Sequence, residues 1–232
     1  MLAVGFPTRY EAEDFFKTVT HVQAAPMGEM ICFTAKLNEA ELVIAILGMG
    51  TSNAAKHARA VCEKFSVEFF ILAGFGGALT PALKRGQILL AQECASEETM
   101  TDIKLLAGFD VARLHTSEKL ITTAEEKSKL AASTGCQFVD METAAVLPVA
   151  QEFGAELISV RAISDLADED LPADVLERSY DFIRAKETPA RLAFYLLTHP
   201  HRISSLTHFL KPLPSVRKRL TNFLVELIQY LF

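Results

Sequence analysis

The chain has 232 residues, 50% of them hydrophobic and 22% charged, with a formal net charge of −6. Its length and apolar content fit one sizeable α/β core with an extension. Residues 190–232 carry six basic side chains against Glu226 alone, a net of +5 that leaves −11 on the rest, and so acidic a body excludes nucleic acid as a general partner.

The N-terminal stretch MLAVGFPTRYEAEDF has neither a basic leader nor a long apolar core, and it reads as a first strand, not a signal peptide. No stretch reads as a membrane span. Cys32, Cys62, Cys94 and Cys136 are scattered in apolar surroundings without CxxC spacing, which predicts reduced core thiols and a cytoplasmic location. Residues 1–7 predict a strand that leads to Thr8, the N-cap of a helix bearing Arg9, Glu11, Glu13 and Asp14. On the residues alone, those acids are ordinary for a first turn, where the helix dipole favours negative charge.

Two strand-like runs, 31–37 and 41–47, predict a hairpin through Asn38-Glu39-Ala40. The segment GMGTSNAAKHA follows, a Gly48-x-Gly50 turn with Thr51 or Ser52 capping a helix. Its N–H groups suit an anion or a ribose hydroxyl, and a plain strand-to-helix turn is the alternative. The third glycine of a dinucleotide fingerprint is missing. Residues 67–74 predict a buried strand, followed by a glycine-rich loop from Gly74 to Leu79, a turn at Lys84-Arg85-Gly86-Gln87 and a strand over 88–91. Residues 94–108 have no regular pattern, and residues 124–133 predict a helix ended by Gly135.

The stretch from Phe138 to Asp170 organises the chain. Asp140 is placed as the N-cap of a helix with Met141 and Glu142 in its first turn, where the dipole favours the ionised carboxylate. Pro148 costs a helix interior about 3 kcal/mol. It predicts a kink near Ala144 or else a second helix start that leaves Met141 and Glu142 in a tight turn. After Gly154, residues 157–163 read as a central parallel strand that delivers Ser164 and Asp165 to its carboxyl end, where open α/β sheets bind ligands. The apolar strand before Asp165 offers the burial that an aspartic acid needs to donate a proton near neutral pH. The alternative for Asp165 is a cap on the next helix; Asp168, Glu169 and Asp170 read as a solvated turn and helix start before Leu171-Pro172. His199, His201 and His208 match no metal-ligand spacing, so no metal or cofactor is expected. Three short apolar helical blocks close the chain, separated by His-Pro and Lys-Pro-Leu-Pro breaks. With Arg217-Lys218-Arg219 ahead of it, the last block suits either a membrane interface or a cover over the core or an oligomer contact.

Met141-Glu142, followed by a strand ending in Ser164-Asp165, resembles the purine nucleoside phosphorylase and methylthioadenosine/S-adenosylhomocysteine nucleosidase superfamily. The segment from Leu114 through TAEEKSKLAASTGCQFVDMETAA is similar to its hopanoid-associated branch, whose members are credited with removing adenine from adenosylhopane. The resemblance implies a three-layer α/β fold, a mixed twisted sheet flanked by helices, with residues 1–188 as the catalytic domain and 189–232 as a helical extension. It implies Asp165 as the proton donor to the purine, Glu11 as the residue that activates water, and Met141 and Glu142 on the ribose. It also puts Ser164, Gly50, Gly74, Phe75 and Val139 at the substrate, and it implies a homodimer. Phosphorylases of the superfamily hold phosphate with an arginine and a serine, where this chain has Leu72 and Phe75, and Gln87 stands where aspartate is usual. Hydrolysis is therefore favoured over phosphorolysis, although Arg9 and the glycine-loop amides leave phosphate use open. A non-catalytic nucleoside-binding or membrane-associated protein is the third reading.

Overall fold

The computed structural model describes residues 1–28, 30–106, 108–181 and 186–232. In chain order the elements are β1 (Leu2–Phe6), α1 (Arg9–Ala12), β2 (Thr20–Ala24), β3 (Cys32–Leu37), β4 (Ala40–Ile46), α2 (Thr51–Lys64), β5 (Phe69–Ala78) and β6 (Ile88–Ala91). They continue with α3 (Glu97–Ile103), β7 (Phe109–Ala112), β8 (Leu114–Thr116), α4 (Ala124–Thr134), β9 (Phe138–Asp140), α5 (Thr143–Glu152) and β10 (Glu156–Asp165). Four further helices close the chain, α6 (Ala173–Ser179), α7 (Pro189–Thr198), α8 (Arg202–Leu210) and α9 (Leu213–Leu231).

The ten strands β1 to β10 form one mixed sheet among the described residues, with the path β2-β3-β4-β1-β5-β10-β6-β7 and with β9 joined to both β5 and β8. Its centre, β4-β1-β5-β10, is parallel, while β3 meets β4 and β6 meets β10 antiparallel. The predicted hairpin forms as β3 and β4, and Asn38 at its turn takes a positive φ of 52°.

Strand alternation explains the three layers. Along β1, Leu2, Val4 and Phe6 enter one core and Ala3 the other; along β5, Ile71 and Ala73 part from Phe70 and Leu72 in the same way. The second core is covered by α2 and α5, through Ala54, Ala58, Val61, Val146 and Ala150. The first is covered by α9, whose Val216, Leu220, Phe223, Leu224, Leu227 and Ile228 make one buried stripe at helical spacing. At roughly 1.5–3 kcal/mol per buried large apolar side chain, this stripe contributes on the order of 10 kcal/mol before chain entropy is counted.

Several local expectations change. The glycine-rich loop is strand: β5 runs on through Gly74-Phe75-Gly76-Gly77 and pairs there with β10 and then β9. The irregular stretch contains α3, capped by Ser96, whose hydroxyl accepts from Thr99 N; Ala107, in the same stretch, lies outside the described residues. Helix α1 is a single turn, followed by a 3-10 turn at Phe15–Lys17. Neither Thr51 nor Ser52 caps α2; its N-cap is Gly50, at φ 87° and ψ 157°, a conformation essentially reserved for glycine. The basic run ahead of the last block turns partly inward, because Arg217 is buried against Glu13 and Asp14. The apolar face of α9 is taken by the sheet and is not free for a membrane interface. No helix among the described residues is long and apolar enough to cross a membrane.

Candidate active site

Parallel neighbours bring their carboxyl ends to one edge of the sheet. The turn after β1 carries Glu11, the end of β5 carries Phe75 to Gly77, and the end of β10 carries Ser164 and Asp165. A cavity of about 530 Å³ opens there, lined by Glu11, Phe75, Val139, Met141, Glu142, Ser164 and Asp165. Seven of the nine residues picked from the sequence thus line one cavity. Gly50 and Gly74 lie behind it. The Gly50 amide donates to Glu142 Oε1 at 2.9 Å, and Gly74 is the close-packed floor beneath Arg161 and Glu11. A second cavity of about 530 Å³, lined by Arg85, Glu169, Arg202 and His208 among others, contains none of the nine.

Glu11 is held on both oxygens: Oε1 accepts from Phe75 N at 2.7 Å and Oε2 from the Thr8 hydroxyl at 2.6 Å. Burial pushes its carboxyl above the ordinary value, against the hydrogen bonds from Thr8 and Phe75 and the Arg161 charge. Such a carboxylate is a better base near neutral pH than an exposed one.

Asp140 ends β9 and does not begin a helix. Its Oδ2 accepts from Thr143 N at 3.1 Å and from the Thr143 hydroxyl, and Oδ1 accepts from the Thr116 hydroxyl at 2.7 Å. Met141 and Glu142 therefore occupy the turn before α5, with Glu142 at the N-cap, while Pro148 sits inside one continuous helix. The expectation of a readily ionised Glu142 is overturned. Burial, with Asp140 adding to it, lifts Glu142 to about 7 despite Arg161 and the Gly50 amide.

Arg161 was not singled out in the sequence, although a charged residue inside an apolar strand run is a readable signal. It is fully buried, with Nη2 at 2.6 Å from Asp140 Oδ2 and 3.4 Å from Glu142 Oε2. Burial opposes its charge, but Asp140, Glu142 and Glu11 outweigh that and raise it above its ordinary value. Its Nε and Nη1 find no hydrogen-bond partner among the described residues. An alanine Cβ at position 74 would overlap Nη1 and lie 2.9 Å from Glu11 Oε1. The guanidinium and the Glu11 carboxylate thus meet above Gly74.

On the opposite wall the Ser164 hydroxyl donates to Asp165 Oδ1 at 2.6 Å, and Lys127 Nζ stands 2.6 Å from Oδ2. The surroundings of Asp165 are not the purely apolar ones expected. Nor does it cap a helix, since α6 begins at Ala173 after Pro172. The acidic turn beyond is tied down as well: Glu169 pairs with Arg85, and Asp170 Oδ1 accepts from Ala124 N at 2.8 Å.

Leu72, Phe75 and Arg9 offer phosphate no free donor in the cavity, although Lys119 lines it. Leu72 is fully buried in the core, the Phe75 amide is occupied by Glu11, and Arg9 is exposed and outside the cavity wall. Gln87 substitutes for aspartate in its turn, its Oε1 accepting from Lys84 N at 2.8 Å.

Sheet order and the carboxylates gathered at the strand ends define a three-layer α/β fold with its candidate site at one edge of the sheet. The chain belongs to the Phosphorylase superfamily, whose family model matches residues 1–121 and 111–198. Among curated relatives, it is 26% identical over 169 residues to the 5'-methylthioadenosine/S-adenosylhomocysteine nucleosidase of Geobacillus thermodenitrificans, covering 59% of this chain and 72% of that one. It is 23% identical over 191 residues to a DeoD-type purine nucleoside phosphorylase of Clostridium beijerinckii, covering 71% and 80%. Futalosine hydrolase of Helicobacter pylori has the same fold, with a TM-score of 0.75 at 17% identity over 98% of this chain and 97% of that one. So does the Neisseria meningitidis 5'-methylthioadenosine/S-adenosylhomocysteine nucleosidase in complex with methylthio-immucillin-A, with a TM-score of 0.75 at 18% identity over 98% and 97%.

Proposed function

We propose that the chain hydrolyses the N-glycosidic bond of a 5′-substituted purine ribonucleoside, with adenine as the departing base. The observation that carries the reading is the one cavity lined by Glu11, Glu142, Ser164 and Asp165, with Arg161 buried behind the first two. Breaking this bond builds positive charge on the sugar and negative charge on the purine, so carboxylates near the sugar and a proton donor near the base are the useful groups. Asp165 protonates N7, Glu142 holds the 2′- and 3′-hydroxyls, and Met141 packs on the sugar. Glu11 takes a proton from the attacking water, with the buried Arg161 charge close behind it. The likeness to the nucleosidase and to futalosine hydrolase supports hydrolysis and, for the former, an adenine nucleoside.

Phosphorolysis is the alternative, favoured by the DeoD-type relative. Two buried carboxylates facing the same space, with the Phe75 amide already taken, argue against a phosphate dianion there. Beyond the sugar, the cavity is lined by Leu176, Leu192, Phe209, Leu210 and Leu213. Lys119 also lines the cavity, but these five side chains are apolar and support an apolar 5′ group such as the hopanoid-associated branch would use. Phe194, Leu197, Ile203 and Leu210 on α7 and α8 are exposed, and a peripheral membrane contact in an otherwise cytoplasmic homodimer belongs to the same proposal. Vesicle flotation and light scattering test those two parts. The main test is adenine release from adenosine, methylthioadenosine, S-adenosylhomocysteine and an alkyl-substituted adenosine, with inosine for comparison. The reading expects the highest kcat/KM for the alkyl compound. Preference for the charged homocysteine group would refute the apolar subsite, and release from none would refute the enzyme.

A further inference from the structure

Helix α4 is amphipathic in an unusual sense, because its one buried residue among those described is a lysine. Lys127 has no exposed surface; its ammonium group donates to Leu166 O at 2.6 Å and Glu169 O at 2.9 Å and forms an ion pair with Asp165 Oδ2 at 2.6 Å. Taking an ammonium out of water is costly unless every donor is satisfied and a counter-charge is near. A leucine would anchor the helix more cheaply, so the lysine points to a purpose other than packing. Its acceptors are Asp165 and the two carbonyls of the turn that follows, the segment whose position decides where the carboxyl group points. The other side of Asp165 is equally fixed, by the Ser164 hydroxyl on Oδ1 and by Gly77, where an added Cβ would lie 3.0 Å from Oδ2.

We propose that Lys127 is a positioning residue for Asp165, orienting its carboxyl group and supplying the counter-charge to the carboxylate that forms when its proton leaves. The inference rests on the nucleosidase reading. As the C1′–N9 bond breaks, its electron pair passes to the purine and the Asp165 proton moves to N7. Water adds to C1′ and gives its proton to Glu11. Negative charge thus grows on Asp165 in the transition state, facing an ammonium that is already in place and need not reorganise. Solvent exchange returns Glu11 and Asp165 to their starting protonation.

A double-mutant cycle over Lys127→Met and Asp165→Asn separates action through Asp165 from a general structural effect. Adenine release from adenosine gives kcat and KM, and equilibrium adenine affinity is read for variants too slow to assay. Lys127→Met is expected to lower kcat about 100-fold, the scale of a proton donor's contribution, with KM within about threefold. In the Asp165→Asn background it is expected to change neither rate nor adenine affinity by more than about twofold. Equal losses in both backgrounds, or a wild-type kcat in Lys127→Met, would overturn the role. If Lys127→Met alone does not fold, the double variant, which removes both charges, is expected to match Asp165→Asn in adenine affinity; a further tenfold loss overturns the proposal. A wild-type chain that releases no base overturns the nucleosidase reading itself, whereas active wild type with an additive cycle overturns the lysine's role alone.

Discussion

Gly74→Ala adds one methyl group at the point where the site is most tightly closed. The new Cβ would overlap Arg161 Nη1 and lie 2.9 Å from Glu11 Oε1 and 3.0 Å from Pro7 Cδ. An arginine tip usually swings away from such a clash, but this one is fully buried, with Nη2 at 2.6 Å from Asp140 Oδ2. Glu11 is equally confined, at 2.7 Å from Phe75 N and 2.6 Å from the Thr8 hydroxyl. Overpacking of this kind costs about 1–3 kcal/mol, and displacing an aligned reacting group by about 1 Å costs on the order of 100-fold in rate. Gly74→Ala should therefore lower urea stability by about 2 kcal/mol and kcat by about 100-fold. Gly76→Ala, whose Cβ meets Val139 O at 3.2 Å and Arg161 Cβ at 3.3 Å, should cost about 1 kcal/mol. Wild-type stability and rate in Gly74→Ala would refute the close approach of Arg161 and Glu11 at this point.

Other outcomes follow from the same geometry. Glu142, raised from 4.5 to about 7 by burial, keeps its proton in the folded chain over a window in which the unfolded chain has released it. Stability should therefore fall as pH rises through that window, by about 3 kcal/mol from this group; urea unfolding at pH 5 and pH 8 should show a flatter dependence in Glu142→Gln, and equal slopes would contradict the assignment. Arg217→Ala removes the link between α9 and the turn that carries Glu11, where Arg217 contacts Asp14 at 2.7 Å and donates to Tyr10 O at 3.2 Å. A loss of about 2 kcal/mol with reduced kcat is expected, and unchanged unfolding would show the contacts to be energetically idle.

How far the sequence was readable depends on whether a signal is local. The hairpin, the Thr123 and Gly135 boundaries of α4 and the long strand to Asp165 follow from turn chemistry and β-branched runs, and they stand in the structure. The glycine run after Ala73 read as a loop because glycine usually breaks strands. Here its missing side chains let β5 pass beneath Arg161, Glu11 and Asp165. Asp140 has the residue type of an N-cap, and its carboxylate does accept from Thr143 N, but it ends a strand and also pairs with Arg161, 21 positions away. Lys127 gave no signal at all: in EEKSKLAAS nothing separates a lysine bound for the interior from its solvated neighbours. Seven of the nine picked residues line one cavity because Met141-Glu142 follows β9, which runs back along β5, and Ser164-Asp165 ends β10 on the other side of β5, whereas the buried cations beside them depend on tertiary contacts that no spacing encodes.

The measurement that bears most directly on the central claim is the fate of C1′ in heavy-oxygen water. Adenosine, or the best 5′-substituted analogue, is turned over by the wild-type chain with phosphate absent and then present, and the released sugar is weighed by mass spectrometry. Hydrolysis through Glu11 and Asp165 predicts one solvent oxygen on C1′ and an equal rate under both conditions, with loss of about 100-fold or more in Asp165→Asn. An unlabelled ribose 1-phosphate, formed only when phosphate is present, would contradict it.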